Sequence, residues 1–170
     1  MKYRMERAII LAAGIGERMH PVTLQTPKPL IRVHGIRLID RMIHCLHQNG
    51  ICEIWLVVGC QKEQFASLET EHPGIRLIED PWYDRCNNIA SLYCARQHLE
   101  NAIILDGDQL IYDPSILSPE FERSGYNVVW TARPSAVCWP AVRSVCCCWI
   151  PGTVTGPSAA FTRRAHRMPC

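Results

Sequence analysis

The chain has 170 residues, 48% of them hydrophobic and 20% charged, and a formal net charge of +2. That composition suits one globular domain and excludes a disordered polymer or a fibre. The charge is too small to imply a nucleic-acid or anionic-membrane partner. No apolar run reaches the ~20 residues needed to span a bilayer.

Residues 7–13 form a continuous apolar run, the pattern of a strand buried on both faces. With the preceding basic residues they imitate a signal peptide. The run is short, however, and residues 14–18 turn charged where a small-residue cleavage site belongs. Residues 14–29 hold two Gly and three Pro, which predicts irregular structure. Residues 37–49 are expected to be helical, with an apolar stripe of Ile39, Met42, Ile43 and Leu46 and a stop at Gly50. A strand is expected over 53–58, a helix over 61–68 and a short strand over 75–78. Residues 88–99 read as a helix with Ile89, Leu92, Tyr93 and Leu99 near one side and Asn87 or Asn88 as N-cap. A strand over 102–105 runs into Asp106-Gly107-Asp108. A helix is expected over 114–123, capped by Asp113, and a strand over 127–131.

Strands thus alternate with helices, which implies an α/β fold: a Rossmann-like, mostly parallel sheet with flanking helices. In such sheets ligands bind at the carboxyl ends of the strands. Two polar clusters fall there. The first is Leu11-Ala12-Ala13-Gly14-Ile15-Gly16-Glu17-Arg18-Met19, followed by Pro21, Thr23 and Pro27-Lys28-Pro29-Leu30. Glycines after a buried strand let successive N–H groups turn toward an anion, and Arg18 and Lys28 add two cations. The set suits a polyphosphate. It is not a P-loop, because no Gly-Lys-Ser/Thr follows, nor the dinucleotide fingerprint, because Met19 takes the third glycine position. The second cluster is Asp106-Gly107-Asp108, which reads either as a polar turn or as a pair of carboxylates holding Mg²⁺. A third stretch, Trp82-Tyr83 with Asn87-Asn88-Ile89-Ala90-Ser91-Leu92, reads either as a helix cap and apolar stripe or as a ligand-binding amide pair. The cysteines at 45, 52, 60, 86 and 94 show no metal spacing. Most sit in apolar patterns, as free thiols of a reducing cytoplasm would.

From residue 7 to about 133 the sequence resembles the nucleotidyltransferases of the sugar-phosphate and choline-phosphate type. Gly14-x-Gly16-x-Arg18 with Pro21, Thr23 and Pro27-Lys28-Pro29-Leu30 is similar to their signature loop, and Asp106-Gly107-Asp108 to their metal-site strand end. Asn87 to Ser91 looks most like the bacterial CTP:phosphocholine cytidylyltransferases. The molybdenum-cofactor guanylyltransferase branch would carry an acid before the lysine, where Pro27 stands here.

The resemblance implies a nucleotide-diphospho-sugar transferase-like fold. It also implies transfer of a nucleoside monophosphate from an NTP, CTP favoured, to a phosphorylated small acceptor, with release of pyrophosphate. Cytidylyl transfer to phosphocholine is the leading form. A sugar 1-phosphate acceptor and a remnant that only binds nucleotide are the alternatives. By the same resemblance, the Gly14–Gly16 backbone (with Leu11 before it) and Arg18 would hold the triphosphate. Lys28 would bridge the α-phosphate and the acceptor phosphate. Asp108, with Asp106, would bind Mg²⁺. Ala12, Ala13 and Gly59 would shape the base pocket, and Asn88 would serve the base or acceptor side.

The last stretch reads differently. All 16 acids lie at or before Glu122; up to that point 12 Lys+Arg stand against them, and the final 48 residues carry six arginines and no acid. Five of the ten cysteines fall in the last 37 residues, and no helical or strand period is sustained there. The resemblance implies a longer chain that adds the acceptor pocket and a second metal-binding carboxylate. Residues 134–170 are therefore expected to be an atypical tail, disordered or translated out of frame from near Arg133. A divergent C-terminus is one alternative. A zinc site from Cys138, Cys146, Cys147, Cys148, His166 and Cys170 is another, against which three adjacent cysteines argue.

Overall fold

The structure, a computed structural model, describes residues 3–122 and the backbone of 148–150. The expected strand over 127–131, the zinc alternative and nearly all of the tail lie outside the described residues. In chain order the elements are β1 (Tyr3–Arg4), β2 (Arg7–Ala12), β3 (Arg32–Val33), β4 (Ile36–Arg37), α1 (Leu38–Gln48), β5 (Glu53–Val58), α2 (Leu68–Glu71), β6 (Ile75–Glu79), α3 (Asn88–Cys94), β7 (Ala102–Asp106), β8 (Glu120–Phe121) and β9 (Cys148–Ile150).

The central sheet has the order β6-β5-β2-β7-β9. Its first four strands are parallel, and β9 runs antiparallel to β7. The apolar run of β2 lies between β5 and β7, with Ile10 facing Leu56 on one side and Leu105 on the other. Side chains alternate along it. Ala8, Ile10 and Ala12 join the larger core with Ile54, Leu56, Ile103 and Leu105, whereas Ile9 turns to the opposite face with Val57 and Ile104. Both faces are therefore apolar, as the unbroken run implied.

The larger core is closed by α1. Ile39, Met42, Ile43 and Leu46, the stripe read from the sequence, are buried within it. The helix ends where Gly50 takes a left-handed φ of 76°. There Ile51 N–H donates to the Leu46 carbonyl at 3.0 Å and Gly50 N–H to that of His47 at 2.9 Å, closing the open carbonyls of the last turn. The smaller core, on the other face, takes Leu92 and Cys94 of α3, Ala95 and Leu99.

Several elements are shorter than their sequence patterns suggest. Residues 61–68 do not form one helix; a 3-10 turn at Lys62–Phe65 precedes α2, with Phe65 and Leu68 buried. α3 ends at Cys94 and gives way to a 3-10 turn at Arg96–His98. Ile89 and Tyr93 do not join its buried side: they are 69% and 57% exposed. The buried side carries Ser91 instead, whose hydroxyl donates to the buried carboxylate of Asp80 at 2.7 Å. Within the expected helix over 114–123, the described residues form a single 3-10 turn, Pro114–Leu117, capped by Asp113 as expected, and then β8. The loop 14–29 is not wholly irregular; it holds 3-10 turns at Glu17–Met19 and Val22–Leu24, with a third beginning at Lys28. The β3–β4 hairpin escaped the sequence reading. His34 and Gly35 both take positive φ at its tip, 52° and 83°, the geometry that matches strand twist in a two-residue turn. Of the five described cysteines only Cys45 is fully buried, while Cys52 and Cys86 are exposed.

Arg37 ties α1 to α2: its Nε donates to Asp40 at 2.7 Å and its NH2 to Glu71. His72 Nε2 lies 3.0 Å from the other Asp40 oxygen. Burial alone would raise the Asp40 carboxyl, but hydrogen bonds from Arg37 and His72 outweigh it and hold the carboxyl below its ordinary value. A depressed carboxylate stabilises the fold above its unfolded pKa, and that stabilisation fades as pH falls through the folded pKa. Asp40→Asn is therefore expected to lower urea stability at pH 7, with the gap from wild type closing below the ordinary carboxylate range. Separately, a Cβ on Gly74 (φ 89°) would lie 2.0 Å from the Cys52 carbonyl oxygen. Gly74→Ala should cost at least about 2 kcal/mol in urea denaturation.

Candidate active site

The strand order sets the position of the site. From β2 the chain moves outward through β5 to β6, then returns past β2 to β7. β2 and β7 are neighbours whose following connections diverge, and a crevice forms beyond their carboxyl ends. The ends meet closely. Gly107 N–H donates to the Leu11 carbonyl at 2.8 Å. A Cβ on Gly107 would lie 2.9 Å from that same oxygen and 3.2 Å from both Ala12 Cβ and Pro29 Cγ.

A cleft of about 600 Å³ opens at this point. Leu11, Ala12, Gly14, Gly16 and Arg18 line it from the β2 side, Lys28 and Pro29 from the far end of the same loop, and Asp106, Gly107 and Asp108 from β7. Asn88, at the start of α3, completes it together with Tyr83 and Asp84. The structure thus brings nine of the sequence-derived residues into one cleft: Leu11, Ala12, Gly14, Gly16, Arg18, Lys28, Asn88, Asp106 and Asp108. Ala13 and Gly59 do not line it directly. Gly59 serves as a seat, since a Cβ there would lie 2.6 Å from Tyr83 Cβ and 2.9 Å from the Ala13 oxygen. Tyr83 reaches the cleft because residue 59 has no side chain.

The signature loop is held by specific bonds. Gly16 takes a left-handed φ of 75°, and its carbonyl accepts from the hydroxyl of buried Thr23 at 2.8 Å. A Cβ at Gly14 would meet nothing within 4 Å, so the backbone there faces open space. Lys28 Nζ pairs with Asp108, and Asn88 Nδ2 donates to Asp106 at 3.4 Å. Asn87, rather than Asn88, caps α3, accepting from Ile89 N–H at 3.1 Å. Asn88 is thereby left to face the cleft. Burial, and then the neighbouring charge of Asp108, push the Asp106 carboxyl above its ordinary value, with Lys28 offsetting part of the rise. A divalent cation would relieve that repulsion. Two carboxylates on one strand end offer the hard oxygen ligands that Mg²⁺ takes, so the donor set fits.

Tyr83, Asp84, Glu17, Ile15, Met19 and Pro29 line the cleft without having been singled out for a role, although the Trp82-Tyr83 pair had been noted. Among the described residues, Asp40, Glu71 and His72 also bring ligand atoms within 4.8 Å of one another. Arg37 already binds both carboxylates there, so their charge is met from within the chain. None of the three lines the cleft.

The model of the MobA-like NTP transferase domain matches residues 8–153. The chain belongs to this family. The match runs past Arg133, where the sequence resemblance was expected to end. Relatives of this NTP transferase domain include the 2-aminoethylphosphonate cytidylyltransferase of Lancefieldella rimae, 45% identical over 121 residues, covering 70% of this chain and 49% of that protein. The choline-phosphate cytidylyltransferase of Streptococcus pneumoniae is 38% identical over 124 residues, covering 73% and 53%. Among solved structures, CTP:phosphocholine cytidylyltransferase from Streptococcus pneumoniae superposes with a TM-score of 0.69 at 37% identity, covering 74% of this chain and 54% of that one. The inositol-1-phosphate CTP transferase from T. maritima gives 0.57 at 25% identity, covering 69% and 49%. The chain spans about half the length of these relatives.

Two glycines separate fold from site. Gly107→Ala should cost about 1–3 kcal/mol in urea denaturation, because backbone and ring atoms crowd the new methyl. Gly14→Ala, facing open space, should leave stability within about 0.5 kcal/mol of wild type.

Proposed function

We propose that the chain is the nucleotide-binding part of a cytidylyltransferase that transfers CMP from CTP to a small phosphorylated or phosphonylated acceptor and releases pyrophosphate. One observation carries this reading: Gly14, Gly16, Arg18 and Lys28 of the signature loop share one cleft with Asp106 and Asp108 of β7. The cytidylyltransferases among its relatives supply the choice of base, since two of them act on choline phosphate and 2-aminoethylphosphonate.

In the proposed reaction an oxygen of the acceptor's phosphate or phosphonate attacks the α-phosphorus in line. The new P–O bond forms as the bond to the β-phosphate oxygen breaks, and pyrophosphate carries away the electron pair. Such a transfer asks the protein for positioning and charge neutralisation more than for covalent help. Backbone N–H groups from Gly14 to Gly16 and the Arg18 guanidinium would receive the triphosphate. Lys28 would leave Asp108 for the α-phosphate, where its charge offsets the negative charge that builds on the transferring group. Asp106 and Asp108 would hold Mg²⁺, which supplies further neutralisation of the phosphate oxygens when bound. Tyr83, Asp84 and Asn88 form the wall left for the base or the acceptor. Among the described residues no helix is long and apolar enough to cross a membrane. The cysteines at 45, 52, 60, 86 and 94 are free thiols, which fits a reducing, cytoplasmic setting.

A sugar or polyol phosphate acceptor is the second reading, favoured by the likeness to the inositol-1-phosphate CTP transferase. A matrix of four NTPs against phosphocholine, 2-aminoethylphosphonate and sugar 1-phosphates, read by pyrophosphate release, separates the two. CTP with an aminoalkyl acceptor should give the highest rate, and chelation of divalent metal should abolish it. Lys28→Ala should lower kcat by roughly 10²–10³-fold. Turnover with every NTP at equal rates, or an unchanged Lys28→Ala enzyme, would refute the proposal. A nucleotide-induced rise in Tm without turnover would leave nucleotide binding alone.

A further inference from the structure

Residues 14–30 carry the proposed phosphate-binding groups yet contribute no strand to the central sheet. Their 3-10 turns fix local shape, through bonds such as Met19 N–H to Gly16 and Leu24 N–H to Pro21. Those bonds do not fix where the loop lies relative to β5. Leu30 anchors the far end of the loop in the core beside Leu56 and Val58, and two glutamines outside the cleft hold its middle. Gln61, just beyond β5 and in a left-handed conformation (φ 54°), donates from Nε2 to the carbonyls of Thr23 and Leu24, each at 3.2 Å. Gln64 donates to the Gln25 carbonyl at 2.9 Å and to Gln61 Oε1 at 2.6 Å. The second bond occupies the Gln61 oxygen and so turns its NH₂ toward the loop.

The chain of contacts continues inward. Thr23, whose carbonyl Gln61 holds, is buried and donates its own hydroxyl to the Gly16 carbonyl. Its methyl carbon stands 3.0 Å from where a Gly16 Cβ would be. Gly16 directly precedes the 3-10 turn Glu17–Met19 that carries Arg18. A side chain that does not line the cleft is thus linked to the residues proposed to receive the triphosphate.

We infer that Gln61 is a positioning residue for nucleotide binding, oriented by Gln64 and acting through Thr23 on Gly16 and Arg18. The inference rests on the cytidylyltransferase reading above. What matters at position 61 is a donor, because both partners are carbonyls. Gln61→Glu keeps the shape and places an acceptor against two acceptors; Gln61→Lys restores donors.

In the full chain, Gln61→Glu should raise the Kd and KM for CTP about tenfold, the loss of two ordinary hydrogen bonds, with a smaller fall in kcat. It should also speed amide exchange at Leu24, Gln25 and Thr26. Gln61→Lys should stay within about threefold of wild type. Gln64→Leu, which leaves Gln61 in place but frees its oxygen, should shift the same quantities by less and covers the case in which a position-61 variant fails to fold. Unchanged CTP affinity and unchanged exchange in Gln61→Glu would overturn the inference, as would a Gln61→Lys variant as impaired as Gln61→Glu. If wild type neither binds CTP nor releases pyrophosphate, the functional reading fails while the exchange measurement still tests the clamp.

Discussion

The contact between the carboxyl ends of β2 and β7 is the constraint on which the site depends. Two parallel strands whose onward connections diverge leave a crevice, and here Gly107 N–H bonds the Leu11 carbonyl across it at 2.8 Å. The residue after Leu11 and Ala12 starts the glycine loop, and the residues beside Gly107 are the carboxylates. The topology therefore places Gly14, Gly16 and Arg18 beside Asp106 and Asp108 although some 90 residues separate them. Pro29 touches the same point, so the loop must return there, and Lys28 returns with it.

Around that contact, polar bonds rather than apolar packing decide which groups face the cleft. The apolar appeal of Ile89 and Tyr93 is overruled by Asp80, which is buried and takes hydrogen bonds from Ser91 Oγ and Trp82 N–H. Leaving such a carboxylate unpaired would cost more than exposing two apolar side chains on a two-turn helix. The rotation it imposes keeps Asn87 as the cap and gives Asn88 to the cleft. Tyr83 descends onto Gly59 in the same segment. Lys28 balances the charge of Asp108.

Much of this was legible in the sequence, and the reasons differ by element. The continuous run at Arg7–Ala12 and the stripe Ile39, Met42, Ile43 and Leu46 declare themselves because burial on two faces or one stripe leaves a period. The loop residues Gly14, Gly16, Arg18 and Lys28 declared themselves by residue type and spacing. The helix read over 61–68 did not survive, because Phe65 and Leu68 are buried from two short turns rather than one helical face. The β3–β4 hairpin was missed because its turn is His34-Gly35, without the Asn or Asp that usually marks such a tip. Gln61 and Gln64 left no signal, since a side chain that bonds backbone carbonyls of a distant loop has no sequence period. Ala13 and Gly59, read from the sequence as shaping the pocket, do not line the cleft themselves; Gly59 makes room for Tyr83, which does.

In the proposed enzyme, nucleotide and metal meet between the 14–30 loop and the end of β7. A crystal structure of the chain with CTP and Mn²⁺ tests it most directly, because the anomalous signal locates the cation independently of the nucleotide. The expected result is a triphosphate over Gly14–Arg18, a Mn²⁺ peak against Asp108 and Asp106, and Lys28 moved from Asp108 to phosphate. A nucleotide bound elsewhere, or a Mn²⁺ peak at Asp40, Glu71 and His72 with none at β7, would contradict it.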